Sequence, residues 1–413
     1  MVNLGLRDAY EWLMSELEGL EIVDAHEHLP PEKERVSRKV DLFTLFSHYT
    51  HADLIAAGMK RENYDRILDT SVPLDERWKL FKPYYNVSKY TSYFRAAQIA
   101  VKEFYGEEAL NDGNYAAISE RVENANRPGL YKRVLRDKCH IKVVLTQIGR
   151  IPDTDRDLLV PILPMRLFWS PEKLEEIKMN KGRGISGLAE YLASIKEELE
   201  EWKRMGVVGV KMISRDVGEI PEEKADRVFK SLLEGEQKEI GVLQDYVTDK
   251  VIDFASDLGL IVAIHTGIIW TNWLDFTEHK PTRLIPLLIR HKNARFDVYH
   301  AGIPWVREVG VMGKSFPNIW LNLCWCHMIS QEMTCSALNE WLDLVPINKI
   351  IGFGGDLDLP VEKIYGHLVM AKEDISRVLA HRITKGRMTK REALNMAGLW
   401  LYENPKALYG LDA

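Results

Sequence analysis

The chain has 413 residues, of which 46% are hydrophobic and 28% charged, enough apolar area for a closed core and a balance that excludes a disordered polymer. Its 55 Lys and Arg against 61 Asp and Glu leave a formal charge of -6, with no basic stripe of the kind that holds a phosphate backbone, so nucleic acid is not expected as a partner. No apolar run reaches the roughly 18 residues of a membrane span, and a cytoplasmic protein with no membrane association is expected.

A chain of this length can be one large α/β barrel with insertions or two to three smaller domains, and the pattern of elements decides between them. The first twenty residues, MVNLGLRDAYEWLMSELEGL, read as an amphipathic helix without a signal-peptide core. Eight short runs rich in Val, Ile and Leu follow, each reading as a strand buried on both faces of a parallel sheet. They are LEIVDAH (20–26), IKVVLTQ (141–147), LLVPILPMR (158–166), VVGVKMI (207–213), LIVAIHTG (260–267), RFDVYHAG (295–302), NIWLNLCW (318–325) and KIIGFGGD (349–356). Helical stretches such as 185–204 and 244–258 lie between them, the second stopping at Gly259 as a helix C-terminus should.

Eight β runs alternating with helices predict a (β/α)8 TIM barrel formed by a single domain over residues 1–413. The connection between the second and third runs is too short for a regular helix. Residues 29–139 contain no strand run but carry helical patterns and many aromatics, Phe43, Phe46, Tyr49, Trp78, Phe81, Tyr84, Tyr85 and Tyr90 among them. This is a helical insertion after the first strand, either a lid and pocket wall or a buttress for the barrel. The segment 389–411 reads as a closing helix. The four cysteines, Cys139, Cys324, Cys326 and Cys335, form no CxxC pair or spaced framework, so they are expected to be reduced, with Cys324 and Cys326 acting as small buried hydrophobes.

The sharpest local signal is VDAHEHL, where His26 and His28 follow an apolar run. Side chains two apart on an extended segment face the same way, so both imidazoles can reach one ion. His265, His300 and Asp356 stand at the ends of three further runs, and the C-terminal ends of barrel strands are where such folds keep their chemistry. Zinc and its neighbours accept neutral imidazole nitrogen together with carboxylate oxygen.

In this order, His-x-His after the first strand, His after the fifth and sixth and Asp after the eighth, the chain resembles the amidohydrolase superfamily, in particular its amidohydrolase 2 branch of metal-dependent hydrolases and decarboxylases. The stretches IHTG, HAGIPW, FPNIWLNL and GFGGD are similar to that branch over strands five to eight, and the resemblance covers residues 20–28 and 141–411. It implies that His26, His28, His265 and Asp356 bind a divalent metal, most simply one zinc ion, and that His300 is a second-site ligand or polarises the substrate. Lys211, ending the fourth run, sits where two-metal members carry a carbamylated lysine; an unmodified lysine with one ion is the default, and two ions require the modification. A homo-oligomer is implied as well. Within the insertion, LFSHYTHADLIAAGM resembles the substrate-binding segment of uronate isomerases, which places His48 and Tyr49 in the pocket. The uronate isomerase pattern continues its strand-eight aspartate with Ser-Arg, whereas here Leu357 and Asp358 follow Asp356.

The expected activity is that of a metal-dependent hydrolase acting on a small carbonyl substrate, an amide, lactone or ester. A metal lowers the pKa of bound water towards 7. Asp356 takes its proton and passes it to the leaving group, while His300 polarises the carbonyl. Lys211 or Arg215 holds a substrate carboxylate, and Arg166 and Trp169 are further pocket residues. Non-oxidative decarboxylation of an unsaturated or aromatic acid, isomerisation of a uronate, and a barrel that binds without catalysis are the competing readings.

Overall fold

Runs of alternating β-branched residues bury both faces only when helices cover them, and the chain resolves this by wrapping strands and helices into a ring. The computed structural model describes residues 5–147, 155–169, 172–173, 184–234 and 239–412. Each of the eight expected runs contains a strand: β1 Ile22–Glu27, β2 Ile141–Thr146, β3 Leu159–Pro164, β4 Gly209–Ile213, β5 Ile261–His265, β6 Phe296–Tyr299, β7 Ile319–Asn322 and β8 Ile350–Ile351. They pair in sequence order and all in parallel. The ring closes through single backbone bonds between β1 and the segment after β8: Ala25 N to Phe353 O at 3.2 Å, Asp356 N to His26 O at 2.8 Å and His28 N to Leu357 O at 2.9 Å. The TIM barrel is thus present.

The helix Ile240–Asp257 buries Leu243, Val247 and Val251 on one stripe against the barrel, and the chain turns back at Gly259, whose φ of 70° is the left-handed conformation that a side chain disfavours. The helix Leu6–Glu18 buries Ala9, Leu13 and Leu17 in the same four-residue rhythm and packs on the helix Val361–Thr384. The closing segment is a helix Lys390–Gly398, a wider turn Leu399–Glu403 and a short helix Asn404–Tyr409. Its Leu408 and Tyr409 join Val23, Val143 and Ile261 near the strand starts, plugging the barrel at the end remote from the histidines. The short β2–β3 connection falls mainly on residues 148–154, outside the described residues. Among the described residues no helix is long and apolar enough to cross a membrane.

Between β1 and β2 the chain is helical throughout, from Glu32–Ser37 to Lys132–Lys138. This segment has an apolar cluster of its own, in which Phe43, Phe46, Phe81, Tyr85 and Phe94 pack ring to ring. Its helix Ser92–Tyr105 is pressed against the helix Val361–Thr384 so closely that a Cβ on Gly366 would lie 1.9 Å from Ala96 O. Its Tyr49 points the other way, into the barrel mouth.

Candidate metal centre

β1 delivers the two histidines because alternate residues of an extended strand share a face. His26 is 1% exposed, and His28 leaves the strand towards the mouth with a third of its side chain open. Asp356 arrives differently. The β8 ladder stops at Ile351, and the next five residues run beside β1 and meet the segment after β7 through Trp325 N to Gly354 O at 2.9 Å. Two glycines allow that approach. A Cβ on Gly354 would lie 2.9 Å from His26 N, and one on Gly355 would lie 1.8 Å from Glu27 Oε1. Asp356 itself takes φ of 58°, a conformation that costs a non-glycine residue of order 1 kcal/mol and persists only when the surroundings hold it.

What holds it is a pair of acids beneath the histidines. Asp24 Oδ1 accepts from Gly355 N at 3.0 Å and Glu27 Oε2 from Leu357 N at 2.5 Å, so the residues on both sides of Asp356 are tethered. Both acids are fully buried. Burial raises Asp24 to about 7 and Glu27 well above its ordinary value, in the second case with the facing Asp24 charge adding to it. Two facing carboxyls in a dry site disfavour ionising together, and each holds one side of the Asp356 backbone.

The result is a cluster in which the nearest ligand atoms of His26, His28 and Asp356 all lie within 4.8 Å of one another. Two atoms each about 2.1 Å from one ion, at tetrahedral or octahedral angles, stand about 3.0–3.4 Å apart. His26 Nε2 and His28 Nε2 are 3.1 and 3.3 Å from the same Asp356 Oδ1. That oxygen is buried and has no hydrogen-bond partner among the described residues, so the spacing is that of a chelate. Neutral imidazole is the form that binds metal, and burial followed by the nearby Lys211 charge holds His26 down at about 3. Burial works to raise Asp356, but the surrounding imidazoles outweigh it and the carboxyl stays well below its usual range. The donor set fits a divalent ion.

Around this cluster the other expected residues take distinct places. Lys211 Nζ lies 2.6 Å from His26 Nε2 and 5.3 Å from the centroid of Tyr299, whose ring also packs on His26 at 4.5 Å. Burial brings Lys211 down to about 8. His265 and His300 form a pair, Nδ1 to Nε2 at 2.9 Å, with His300 Nδ1 at 3.0 Å from Cys324 O and His265 Nε2 at 2.9 Å from Ile268 O. These contacts ask for three N–H groups, and two neutral rings carry two. Burial keeps both rings neutral, with His265 held at about 3. Both ring nitrogens of His265 are thus engaged, Nδ1 with His300 and Nε2 with Ile268 O, and among the described residues the ligand cluster holds His26, His28 and Asp356 without it. Tyr49 stacks on Trp325 at 4.2 Å, and its hydroxyl lies towards Asp356; burial and then that charge keep it a phenol. His48 stacks on Tyr49 and stands 3.5 Å from Asp358.

A cavity of about 540 Å³ opens above, with His28, Lys211, His265 and Asp356 at its floor and Arg166, Trp169 and Arg215 among its walls. Arg215 is engaged by Asp245 and by Thr248 Oγ1. Asp24, Glu27, Tyr299, Gln147 and Trp270 were not singled out in the sequence. The two acids stand beside the histidines in VDAHEHL, at a spacing that does not mark them as partners. The four cysteines are buried and free.

The amidohydrolase family model matches residues 178–351, a span that takes in β4 to β8. With eight parallel strands and a three-point ligand cluster at the mouth, the resemblance to the amidohydrolase superfamily is borne out, and the fold is that of its metal-dependent enzymes. Among particular relatives, the chain is 25% identical over 150 residues to protein fluG of Emericella nidulans, covering 36% of this chain and only 17% of that one. It is 21% identical to a uronate isomerase of Nostoc punctiforme across 96% of this chain and 94% of the other. The crystal structure of glucuronate isomerase from Caulobacter crescentus superposes with a TM-score of 0.82 at 17% identity, over 100% of this chain and 96% of that one.

Proposed function

We propose that the chain is a metal-dependent hydrolase of a small carbonyl compound, an amide, lactone or ester. The observation that carries this reading is the convergence of His26, His28 and Asp356 at chelating distance on the floor of a cavity large enough for a small molecule. His265, whose ring nitrogens here contact His300 and Ile268 O, is the fourth ligand of the proposed set, and joining it requires giving up one of those contacts. A divalent ion held there, zinc by the preference of imidazole and carboxylate donors, supplies Lewis acidity and makes water acidic enough to react near neutral pH.

The chain's own groups then supply positioning and proton transfer. Asp356, ionised and buried, accepts the proton of the attacking water and returns it to the departing nitrogen or oxygen. One water is consumed: a carbon–oxygen bond forms at the carbonyl carbon, and the bond to the leaving atom breaks. His300, neutral, buried and bonded to Cys324 O and His265, positions His265 rather than touching substrate, and the Tyr49 phenol steadies Asp356. Lys211 lies beside the reacting end as a positive charge for substrate.

A second reading, uronate isomerisation, is favoured by one observation: similarity to uronate isomerases extends over almost the whole chain, insertion included. Against it stands Asp358, an anion next to His48 in the place where the isomerase pattern has arginine. Assaying ion-loaded enzyme on N-acyl compounds, lactones, esters, aromatic acids, glucuronate and galacturonate decides between them. Hydrolysis that Asp356→Asn abolishes supports the proposal. Ketose formed from a uronate, or carbon dioxide released from an acid, overturns it.

A further inference from the structure

The walls of the cavity differ in kind from its floor. The apolar part of the lining is Met165, Trp169, Met212, Ile213 and Trp270, and Gln147, Arg166, Arg215, Gln244 and Thr248 stand among them. Ile213 and Trp270 keep 53% and 51% of their surface open, and large apolar side chains left open inside a concave site gain most when an apolar ligand covers them.

The cavity's cations are also unequal. Lys211 is buried at the floor, and Arg215 is neutralised by Asp245. Arg166 is exposed at the solvent end of the lining and has no ion-pair partner among the described residues. A guanidinium in that position offers a planar fork to a carboxylate. Gln147, on the same lining, has a buried Oε1 without a hydrogen-bond partner, an acceptor waiting for a donor N–H or O–H.

Resting on the hydrolase reading above, we propose that the substrate class is an amide with a bulky apolar body and a carboxylate at its outer end, chemically an N-acylated apolar amino acid. Its body covers Trp270 and Ile213, its N–H meets Gln147, and its carboxylate pairs with Arg166. The carbonyl to be cleaved faces the His26, His28 and Asp356 floor.

Binding tests this without requiring turnover. The full-length, zinc-loaded protein carrying Asp356→Asn is titrated by calorimetry with N-acetylphenylalanine, its carboxamide, N-acetylglycine and glucuronate. The proposal expects N-acetylphenylalanine to bind at least about tenfold more tightly than each of the others, the loss expected for one charge-assisted contact or one buried ring. Arg166→Gln should remove the advantage over the carboxamide while leaving carboxamide binding within about twofold. Equal or tighter binding of N-acetylglycine or glucuronate, no binding of N-acetylphenylalanine, or an equal loss for acid and carboxamide in Arg166→Gln overturns it. Selective binding to protein that has Asp356 intact yet releases no acetate sustains this specificity and sinks hydrolysis instead. Hydrolysis of amides without the preference does the reverse.

Discussion

Gly355→Ala tests how the strand-eight aspartate is held without touching any proposed ligand. The new Cβ would sit 1.8 Å from Glu27 Oε1, 2.9 Å from Glu27 Cδ and 3.4 Å from Asp24 Oδ2. A flexible side-chain end could normally step aside, but Glu27 is 0% exposed, its other oxygen is bonded to Leu357 N, and Asp24 faces it. Relief must come from the backbone that carries Asp356. Overpacking of this kind costs about 1–3 kcal/mol in stability, and displacing a group that orients a ligand weakens metal binding by about 10–100-fold. Urea unfolding gives the first quantity and competition with a chromogenic chelator for zinc the second. A Gly355→Ala protein with native stability and native zinc affinity would refute the clamp.

Three further outcomes are expected. Asp297 is fully buried, accepts from Tyr409 and Asn322, and is raised by burial to about 7. The folded protein therefore keeps its proton between the unfolded value and pH 7, where the unfolded chain has lost it, and stability is lost as pH rises through that window. At 1.36 kcal/mol per pH unit the wild type should lose about 2–3 kcal/mol relative to Asp297→Asn between pH 5 and 7, and parallel urea curves for the two proteins at both pH values would disprove it. Tyr49→Phe removes a hydroxyl beside a buried carboxylate, worth about 1.5–3 kcal/mol. Turnover should fall by about 10–100-fold, with metal content unchanged; lost metal would make Tyr49 a structural prop. Asp356→Asn should abolish turnover while perturbing metal content less than loss of a histidine does, and undiminished turnover would exclude it as the proton carrier.

The barrel was legible because strands covered on both faces must be apolar throughout, and all eight such runs contain one. The run KIIGFGGD reads as one strand, whereas only Ile350–Ile351 pair as β8. Burial alone cannot tell a ladder from a glycine-rich segment laid against a neighbouring strand, so the apolar pattern persists after the pairing stops. Asp356 reaches the histidines from that stretch, which lies outside the β8 ladder and is held to β1 by isolated backbone bonds. The Asp24 and Glu27 clamp escaped notice because strict alternation puts Glu27 on the face opposite the histidines. A register shift between Asp24 and Glu27 in the pairing with β2 breaks that alternation, and such irregularities leave little trace in a single sequence. The pairing of His265 with His300 was equally hidden, since residues at neighbouring strand ends can each face a common ion or one another. Lys211 and Tyr49 stand close to the centre, while Arg215 is tied into an ion pair with Asp245.

Ion content tests the single chelate of His26, His28 and Asp356 most directly. Wild type and His26→Ala are each equilibrated with zinc, dialysed, and assayed for metal per chain by mass spectrometry. About one ion per chain is expected in the wild type and loss of that ion in the variant, as removal of one of so few donors should cause. A wild type that keeps no divalent ion, or a variant that retains a full complement, would contradict it.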